Sequence, residues 1–182
     1  MSQLPAYREE IYLQVIKQFP NKTTDPWLLV DSSSQSLLVM SDNRLVSEYS
    51  VSTSKYGLGC KQDSFKTPLG AHYIAQKIGS DKQQNEIFVG REASGEIAEI
   101  SYEKKSSDLD LILTRILWLQ GLEENRNCGD GIDSFQRYIY VHGTHDEGLL
   151  GSPASHGCVR MSNANIMELF ERVAEKTFVY IC

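Results

Sequence analysis

The sequence predicts a mostly-β fold, and three observations carry that reading. Its 182 residues, 41% of them apolar and 23% charged, have the length and apolar content of one soluble globular domain with a sizeable core. The apolar residues fall in short runs of strand length, punctuated by clusters of Gly, Pro, Ser, Asn and Asp. Only two stretches, one near each end, carry the three-to-four-residue apolar spacing of an amphipathic helix.

The elements follow in order. Ala6 to Phe19 reads as a helix, with Tyr7, Ile11, Val15 and Phe19 at every fourth position and Leu4 and Ile16 flanking the stripe. Pro20 and Asn21 end it, and Asn21 to Pro26 is a polar connector. Trp27 to Val30 and Leu37 to Met40 are short strands around the turn-forming cluster Asp31-Ser32-Ser33-Ser34. Leu45 to Ser52 follows a second turn at Ser41-Asp42-Asn43. Ser52 to Gly70, rich in Gly, Ser and Lys and containing Thr67-Pro68-Leu69-Gly70, reads as a loop. Ala71 to Ile78 and Ile87 to Gly90 are further strands, with His72 an ordinary strand or surface residue. Glu92 to Asp110 is polar, either a lid or an inert excursion. Leu109 to Leu119 suits strand or helix, with strand favoured at its Ile116–Leu119 end. Glu123 to Gly131 is a loop, Tyr138 to Val141 a buried strand and Thr144 to Ser155 a Gly/Ser/Pro loop. In Asn163 to Lys176, Ile166, Leu169, Phe170 and Val173 follow the i, i+3, i+4, i+7 pattern of a second helix, capped by Ser162 or Asn163. Phe178 to Ile181 is a last strand.

Charge and the chain's opening exclude some classes. The 24 acidic and 18 basic side chains give a formal charge of −6 with no basic run, which disfavours nucleic acid as a partner. No apolar run approaches the roughly 18 residues of a membrane span. The opening Met1-Ser2-Gln3-Leu4-Pro5-Ala6-Tyr7-Arg8-Glu9-Glu10 places an acidic pair where a secretory signal needs apolar residues, so the expected compartment is the cytoplasm. The four cysteines, Cys60, Cys128, Cys158 and Cys182, form no Cys-x-x-Cys pair. Cys60, Cys128 and Cys182 read as small buried hydrophobes.

Chemistry concentrates near the C-terminal helix. Three of the four histidines, His142, His145 and His156, fall within fifteen residues, and Cys158 stands beside them. A cysteine nucleophile needs a base, a group that orients the base, and donors for the tetrahedral oxyanion. His142 closes a buried strand, and the loop can return Cys158 to face it. Cys158 is expected just before a helix, where the positive end of the dipole favours thiolate, and Gly157 lets backbone approach a substrate. The rival reading is a zinc site built from His142, His145, Asp146, His156 and Cys158. Against it, His142-x-x-His145 on a loop is not the i, i+4 helical pair of a zinc protease, so no metal or other cofactor is expected, and His145 reads as a loop histidine without a catalytic role.

The stretch His142-Gly143-Thr144, followed by Ser155-His156-Gly157-Cys158-Val159-Arg160-Met161, resembles the catalytic signature of the L,D-transpeptidase (YkuD-type) domain. Val51-Ser52-Thr53-Ser54 and Thr67-Pro68-Leu69-Gly70 resemble a weaker second motif of that family, with Ser54 where the family often has Gly. The resemblance covers about Trp27 to Ile181, which divides the chain into an N-terminal helical extension (1–24) and a catalytic domain (25–182). It implies a β-sandwich with the C-terminal helix beside the active site. It implies Cys158 as nucleophile, His142 as base and the Gly143 carbonyl as the group that fixes the imidazole tautomer. The backbone N–H groups of Gly157 and Cys158 would form the oxyanion hole. Ser155, His156 and Arg160 would meet substrate, Arg160 by pairing with a carboxylate.

Family members cleave between the L-centre of a diamino acid and the following D-alanine of a peptidoglycan stem peptide, leaving a thioester on the cysteine. Water then gives a carboxypeptidase, and an amine from a second stem gives a cross-link. With no export signal in the chain, the expected reaction is trimming of tetrapeptide to tripeptide during murein recycling. Cross-linking is the alternative, and a catalytically dead murein-binding module a third reading, against which the intact Cys158 and His142 count.

Overall fold

A computed structural model describes residues 4–23, 25–42, 44–105 and 109–182. Its strands are β1 (Trp27–Asp31), β2 (Ser36–Ser41), β3 (Arg44–Ser52), β4 (Gly70–Ile78), β5 (Glu86–Val89), β6 (Glu92–Ile97), β7 (Ile112–Gly121), β8 (Tyr140–Gly143), β9 (Val159–Met161) and β10 (Phe178–Ile181). Helix α1 (Ala6–Gln18) precedes them, and α2 (Asn163–Arg172) separates β9 from β10. The turn expected at Ser41 to Asn43 includes Asn43, and the polar stretch before β7 includes 106–108; these positions, with Thr24 and the opening 1–3, lie outside the described residues.

The strands form one sheet in the order β4-β10-β1-β2-β3-β9-β8-β7-β5-β6, and a further β4–β7 pairing closes it. This corrects the expected sandwich to a closed, barrel-like sheet. The physical reason lies in β7. Its first residues pair with β5 (Ile87 opposite Leu113), and its remainder runs antiparallel to β4 from Ile116 opposite Ile78 to Gly121 opposite His72. Register shifts at Ile74/Gln76 and Leu113/Ile116 bend the strands where the sheet curls shut.

Strand alternation then sorts the side chains. Leu28, Val30, Leu37, Val39, Val51, Ile74, Leu117, Leu119, Val141, Val159, Met161, Val179 and Ile181 share one interior cluster, sealed by Ile166, Leu169, Phe170 and Val173 of α2. Trp27, Leu29, Leu38, Met40, Ala71 and Phe178 point the other way, beneath α1. Burial on both faces explains why β1 and β2 read as unbroken apolar runs.

Two sequence expectations are corrected in part and a third is narrowed. On α1, Val15 is buried and Ile11, Phe19, Leu4 and Ile16 pack against the sheet as expected, but Tyr7 is 45% exposed, and Arg8 and Tyr12 are buried in addition. At about 100° per residue a strict fourth-residue repeat drifts by about 40° each step, so its first member, Tyr7, falls off the face that Ile11, Val15 and Phe19 share with Arg8 and Tyr12. Helix α2 ends at Arg172 rather than Lys176, because Lys77 Nζ donates to the carbonyls of Phe170 and Val173 at 2.6 Å each and satisfies its C-terminus. Of the two readings of His72 the strand one holds: it is fully buried on β4, with Nδ1 3.0 Å from the Gly70 carbonyl and Nε2 2.9 Å from Ser134 Oγ. Strand β6, inside the polar excursion, and the short β9 carried no usable signal.

Arg8 fastens α1 to the sheet. Its Nε lies 3.0 Å from Asp31 Oδ2, Nη1 2.8 Å from Glu48 Oε1 and Nη2 2.7 Å from Ser34 Oγ. Burial alone would push the Asp31 carboxyl up; hydrogen bonds from Ser33, Ser34, Tyr7 and Arg8 outweigh it and hold the group down at about 2. Arg8→Ala leaves that buried carboxylate without its counterion. The expected loss is about 2–3 kcal/mol of stability, read as a lower urea midpoint at unchanged slope.

Candidate active site

Strands β8 and β9 lie side by side and parallel, with Val141 opposite Val159, His142 opposite Arg160 and Gly143 opposite Met161. Val141, Val159 and Met161 point into the interior cluster. Alternation therefore places Tyr140, His142, Cys158 and Arg160 together on the outward face. The loop between the strands, with a short 3₁₀ turn at Glu147–Leu149, returns the chain to start β9 beside β8.

Cys158 Sγ accepts a hydrogen bond from the Tyr140 N–H at 3.4 Å and donates to the Tyr138 carbonyl at 3.4 Å. His142 is 1% exposed, and its Nδ1 lies 2.8 Å from the Gly143 carbonyl. A carbonyl only accepts, so Nδ1 carries the proton and Nε2 keeps a free lone pair, the form a general base requires. Burial pulls the His142 imidazole down to about 4 against the Gly143 hydrogen bond, which favours the charged ring. Burial pushes the Cys158 thiol up to about 12; the Asp110 charge adds to this, while the Tyr140 N–H, Arg160 and Arg137 oppose it. At neutral pH the pair rests as thiol and neutral imidazole.

That corrects the expected dipole-stabilised thiolate. Cys158 does not stand at a helix N-terminus, because β9 intervenes and α2 begins at Asn163, its first turn capped by Ser162 Oγ accepting from the Asn165 N–H at 3.2 Å. The Sγ atom instead has the Tyr140 N–H and the Tyr138 carbonyl as its hydrogen-bond partners.

The other expected site residues separate in role. Gly157 adopts φ 133°, a conformation open to glycine, and its N–H donates to Ser155 Oγ at 3.2 Å. It shares the turn with the Cys158 amide, but it is not the free oxyanion donor expected. Ser155, expected to meet substrate, is 1% exposed, and its hydroxyl donates to the Cys158 carbonyl at 2.6 Å; it braces the nucleophile's turn. His156 does reach the surface beside the nucleophile, between the rings of Tyr56 and Phe65, with centroids 6.0 and 6.2 Å away. Arg160, expected to meet a substrate carboxylate, is 2% exposed and meets protein carboxylates instead: Nη2 pairs with Asp110, and Nη1 lies 3.7 Å from Asp146 Oδ2. His145 is buried with Nε2 3.3 Å from Asp146 Oδ1. Among the described residues no group of three or more His, Cys, Asp or Glu is arranged to hold a metal ion.

Sequence reasoning missed three residues here. Asp110 bridges Arg160 and the Nδ1 of His156, the latter at 2.9 Å from its Oδ2, and it belongs to the polar stretch that carried no motif. Arg137 and Tyr138 precede β8, and both line a cavity of about 170 Å³ with Phe65, Ile139 and His156. A cation and an aromatic immediately before the histidine strand were the only signal.

Two outcomes follow from this geometry. A Cβ on Gly143 would meet Asn163 Oδ1 and, at 2.8 Å, the Leu113 carbonyl, so Gly143→Ala must shift the backbone that anchors His142. A folded variant with at least about a tenfold lower kcat is expected, and an unchanged kcat would remove the anchoring role. The second outcome concerns acid. His72 and His142 are each depressed by burial to about 4. The folded state therefore binds fewer protons than the unfolded one between that value and the ordinary 6.5 or so, and stability present above about 6.5 is lost as pH falls toward 4. The loss is on the order of 3 kcal/mol per histidine, and urea midpoints at about pH 7 and 4.5, with His72→Gln removing part of the difference, measure it.

Comparison with known proteins agrees with this geometry. Residues 25–181 match the family model of YkuD, the L,D-transpeptidase catalytic domain. The Bacillus subtilis protein "Putative L,D-transpeptidase YqjB" is 24% identical over 159 residues, which is 86% of this chain and 71% of that protein. In fold, the chain superposes on an L,D-transpeptidase from Mycobacterium smegmatis at TM-score 0.51 and 16% identity, covering 87% of this chain and 59% of that one. An Enterococcus faecium L,D-transpeptidase mutant gives 0.52 at 16% identity, with 87% and 50% covered, so the chain spans about half to three fifths of these solved structures. The family match over nearly the whole barrel, with Cys158, His142 and the Gly143 carbonyl assembled on its outward face, makes the chain a member of the YkuD family of L,D-transpeptidase catalytic domains.

Proposed function

We propose that the protein is a cysteine-dependent L,D-carboxypeptidase that removes the terminal D-alanine from peptidoglycan tetrapeptide stems, acting in the cytoplasm in murein recycling. His142 Nε2 takes the Cys158 proton as sulfur attacks the carbonyl on the L-centre of the diamino acid. The same proton passes to the departing D-alanine nitrogen as the C–N bond breaks, leaving a thioester on Cys158. Water, deprotonated by His142, then attacks the thioester; the C–S bond breaks, the thiol recovers its proton and the tripeptide leaves. The Gly143 carbonyl holds the ring through both steps, the part a carboxylate plays in a Ser-His-Asp triad.

The observation that favours water over an amine as acceptor is the asymmetry around Cys158. Toward the start of β8 lies the cavity of about 170 Å³. Toward its end, the outward face is occupied by Asp110, tied to Arg160 and His156. A cavity on one flank and a paired carboxylate on the other support a single peptide site, and water as acceptor needs no second groove. Cross-linking through the same thioester is the competing reading, favoured by the relatives named as L,D-transpeptidases.

Incubation with tetrapeptide, followed by mass spectrometry, is expected to show free D-alanine and tripeptide. Cross-linked dimer without tripeptide would overturn the preference for hydrolysis. Cys158→Ala is expected to lower the rate by at least about a thousandfold, and full activity in that variant would end the thioester mechanism. The acid limb of kcat/KM, set by His142, is expected near pH 4 rather than at the ordinary imidazole value.

A further inference from the structure

Two guanidinium groups act on the Cys158 thiol, Arg160 and Arg137, and their surroundings differ. Arg160 is buried and already paired with Asp110. Arg137 is half-buried, in the segment that leads into β8. Its Nη2 donates to the Lys66 carbonyl at 2.7 Å and its Nη1 to the Gly59 carbonyl at 3.4 Å. Both acceptors are neutral backbone groups of the loop between β3 and β4. Among the described residues no carboxylate lies within ion-pair distance of Arg137. Asp63 lines the same cavity, but it is exposed, where water screens its charge.

The cavity that Arg137 lines adjoins the nucleophile's turn through Tyr138 and His156. Tyr138, the next residue, offers its carbonyl to the Cys158 thiol, and a Cβ at Gly157 would meet the Ile139 side chain and the carbonyls of Lys66 and Phe65. The result is a small recess with aromatic walls, Phe65, Tyr138 and His156, an exposed carboxylate at Asp63, and one cation, Arg137, with no carboxylate within ion-pair distance among the described residues. A guanidinium held by two carbonyls keeps its fork fixed with donors left over, an arrangement suited to a planar carboxylate. On the other flank of Cys158 the Arg160 guanidinium is already taken by Asp110, which also holds His156, so that flank offers an incoming anion no free cation. The two flanks together orient a substrate whose free carboxylate lies close to the bond attacked.

We propose that Arg137 is the specificity-determining residue of this site, receiving the free terminal carboxylate of the residue that departs when Cys158 attacks. The assignment rests on the acyl-transfer reading above only for the identity of that residue. The α-carboxylate of a departing amino acid is one carbon beyond the leaving nitrogen, so its recognition must take place beside the thiol, where Arg137 is. A peptide whose terminus is blocked or amidated loses this contact, which selects stems ending at the residue to be removed.

The test separates the carboxylate site from the peptidase reaction. In the intact protein, alkylation of Cys158 by anionic iodoacetate and by neutral iodoacetamide is followed by peptide mass spectrometry, which resolves it from the other three cysteines. Any change in thiol acidity affects both reagents alike and cancels in their ratio. Arg137→Gln is expected to lower the iodoacetate-to-iodoacetamide ratio about tenfold, with Arg137→Lys between it and the parent. An unchanged ratio in Arg137→Gln, with near-ultraviolet circular dichroism like the parent's, overturns the proposal. The second arm compares kcat/KM for D-alanine release from the tetrapeptide with that for D-alaninamide release from its C-terminal carboxamide. Arg137→Gln is expected to lose rate on the carboxylate form only, chiefly through KM. Equal loss on both forms indicates a structural role and also overturns the proposal. If the alkylation ratio depends on Arg137 while neither peptide is cleaved, the carboxylate site stands and the carboxypeptidase reading falls. If peptide is cleaved with its carboxylate preference intact in Arg137→Gln, the reverse holds.

Discussion

The parallel register between β8 and β9 is the constraint on which the site depends. Pairing Val141 with Val159 places both in the interior and turns His142, Cys158 and Arg160 outward as a group. A slip of one residue would send Cys158 into the barrel and a valine to the surface, because side chains alternate with a period of two. The apolar core thus enforces the catalytic alignment. Any sequence that keeps Val141, Val159 and Met161 buried must present this histidine and this cysteine on one face.

Around that register the fold supplies rigidity. Closure of the sheet through β4 and β7 leaves β8 and β9 as inner strands, each paired on both sides, β8 with β7 and β9 with β3. Helix α2 plugs the interior beneath them, and its first residue, Asn163, donates through Nδ2 to the Thr144 carbonyl at 2.7 Å, just past the anchor at Gly143. The loop from β3 to β4 reaches across to form the walls at Phe65 and the carbonyls that hold Arg137. Residues distant in sequence meet at one end of β8 because the strands order them there.

The electrostatics follow from burial. Both members of the reacting pair are neutral at rest, since desolvation penalises thiolate and imidazolium alike. A neutral resting pair does not attract or repel a charged substrate, and of the two guanidinium groups near it Arg160 is paired with Asp110 while Arg137 meets only backbone carbonyls. The charge that develops as the proton moves to His142 appears where the Tyr140 N–H can stabilise sulfur and the Gly143 carbonyl can stabilise the ring.

The residues to which covalent chemistry is proposed stand in motifs legible in the chain itself. His142-Gly143 and Ser155-His156-Gly157-Cys158 are local motifs, and the strand and helix periods around them are set by neighbours a few residues away. What only tertiary structure decided were the features that depend on partners far along the chain. The same sequence of short strands fits a sandwich or a barrel until β4 meets β7. Arg160 reads as a substrate ligand until Asp110, fifty positions earlier, is laid across it. The Cys158 thiol reads as activated by a helix until β9 intervenes and burial raises it. Sequence alone determined which atoms can react, because reactivity belongs to residue type and near neighbours. Which charges face those atoms, and which are already paired, was decided by the fold, because ion pairing and desolvation are properties of distance in space.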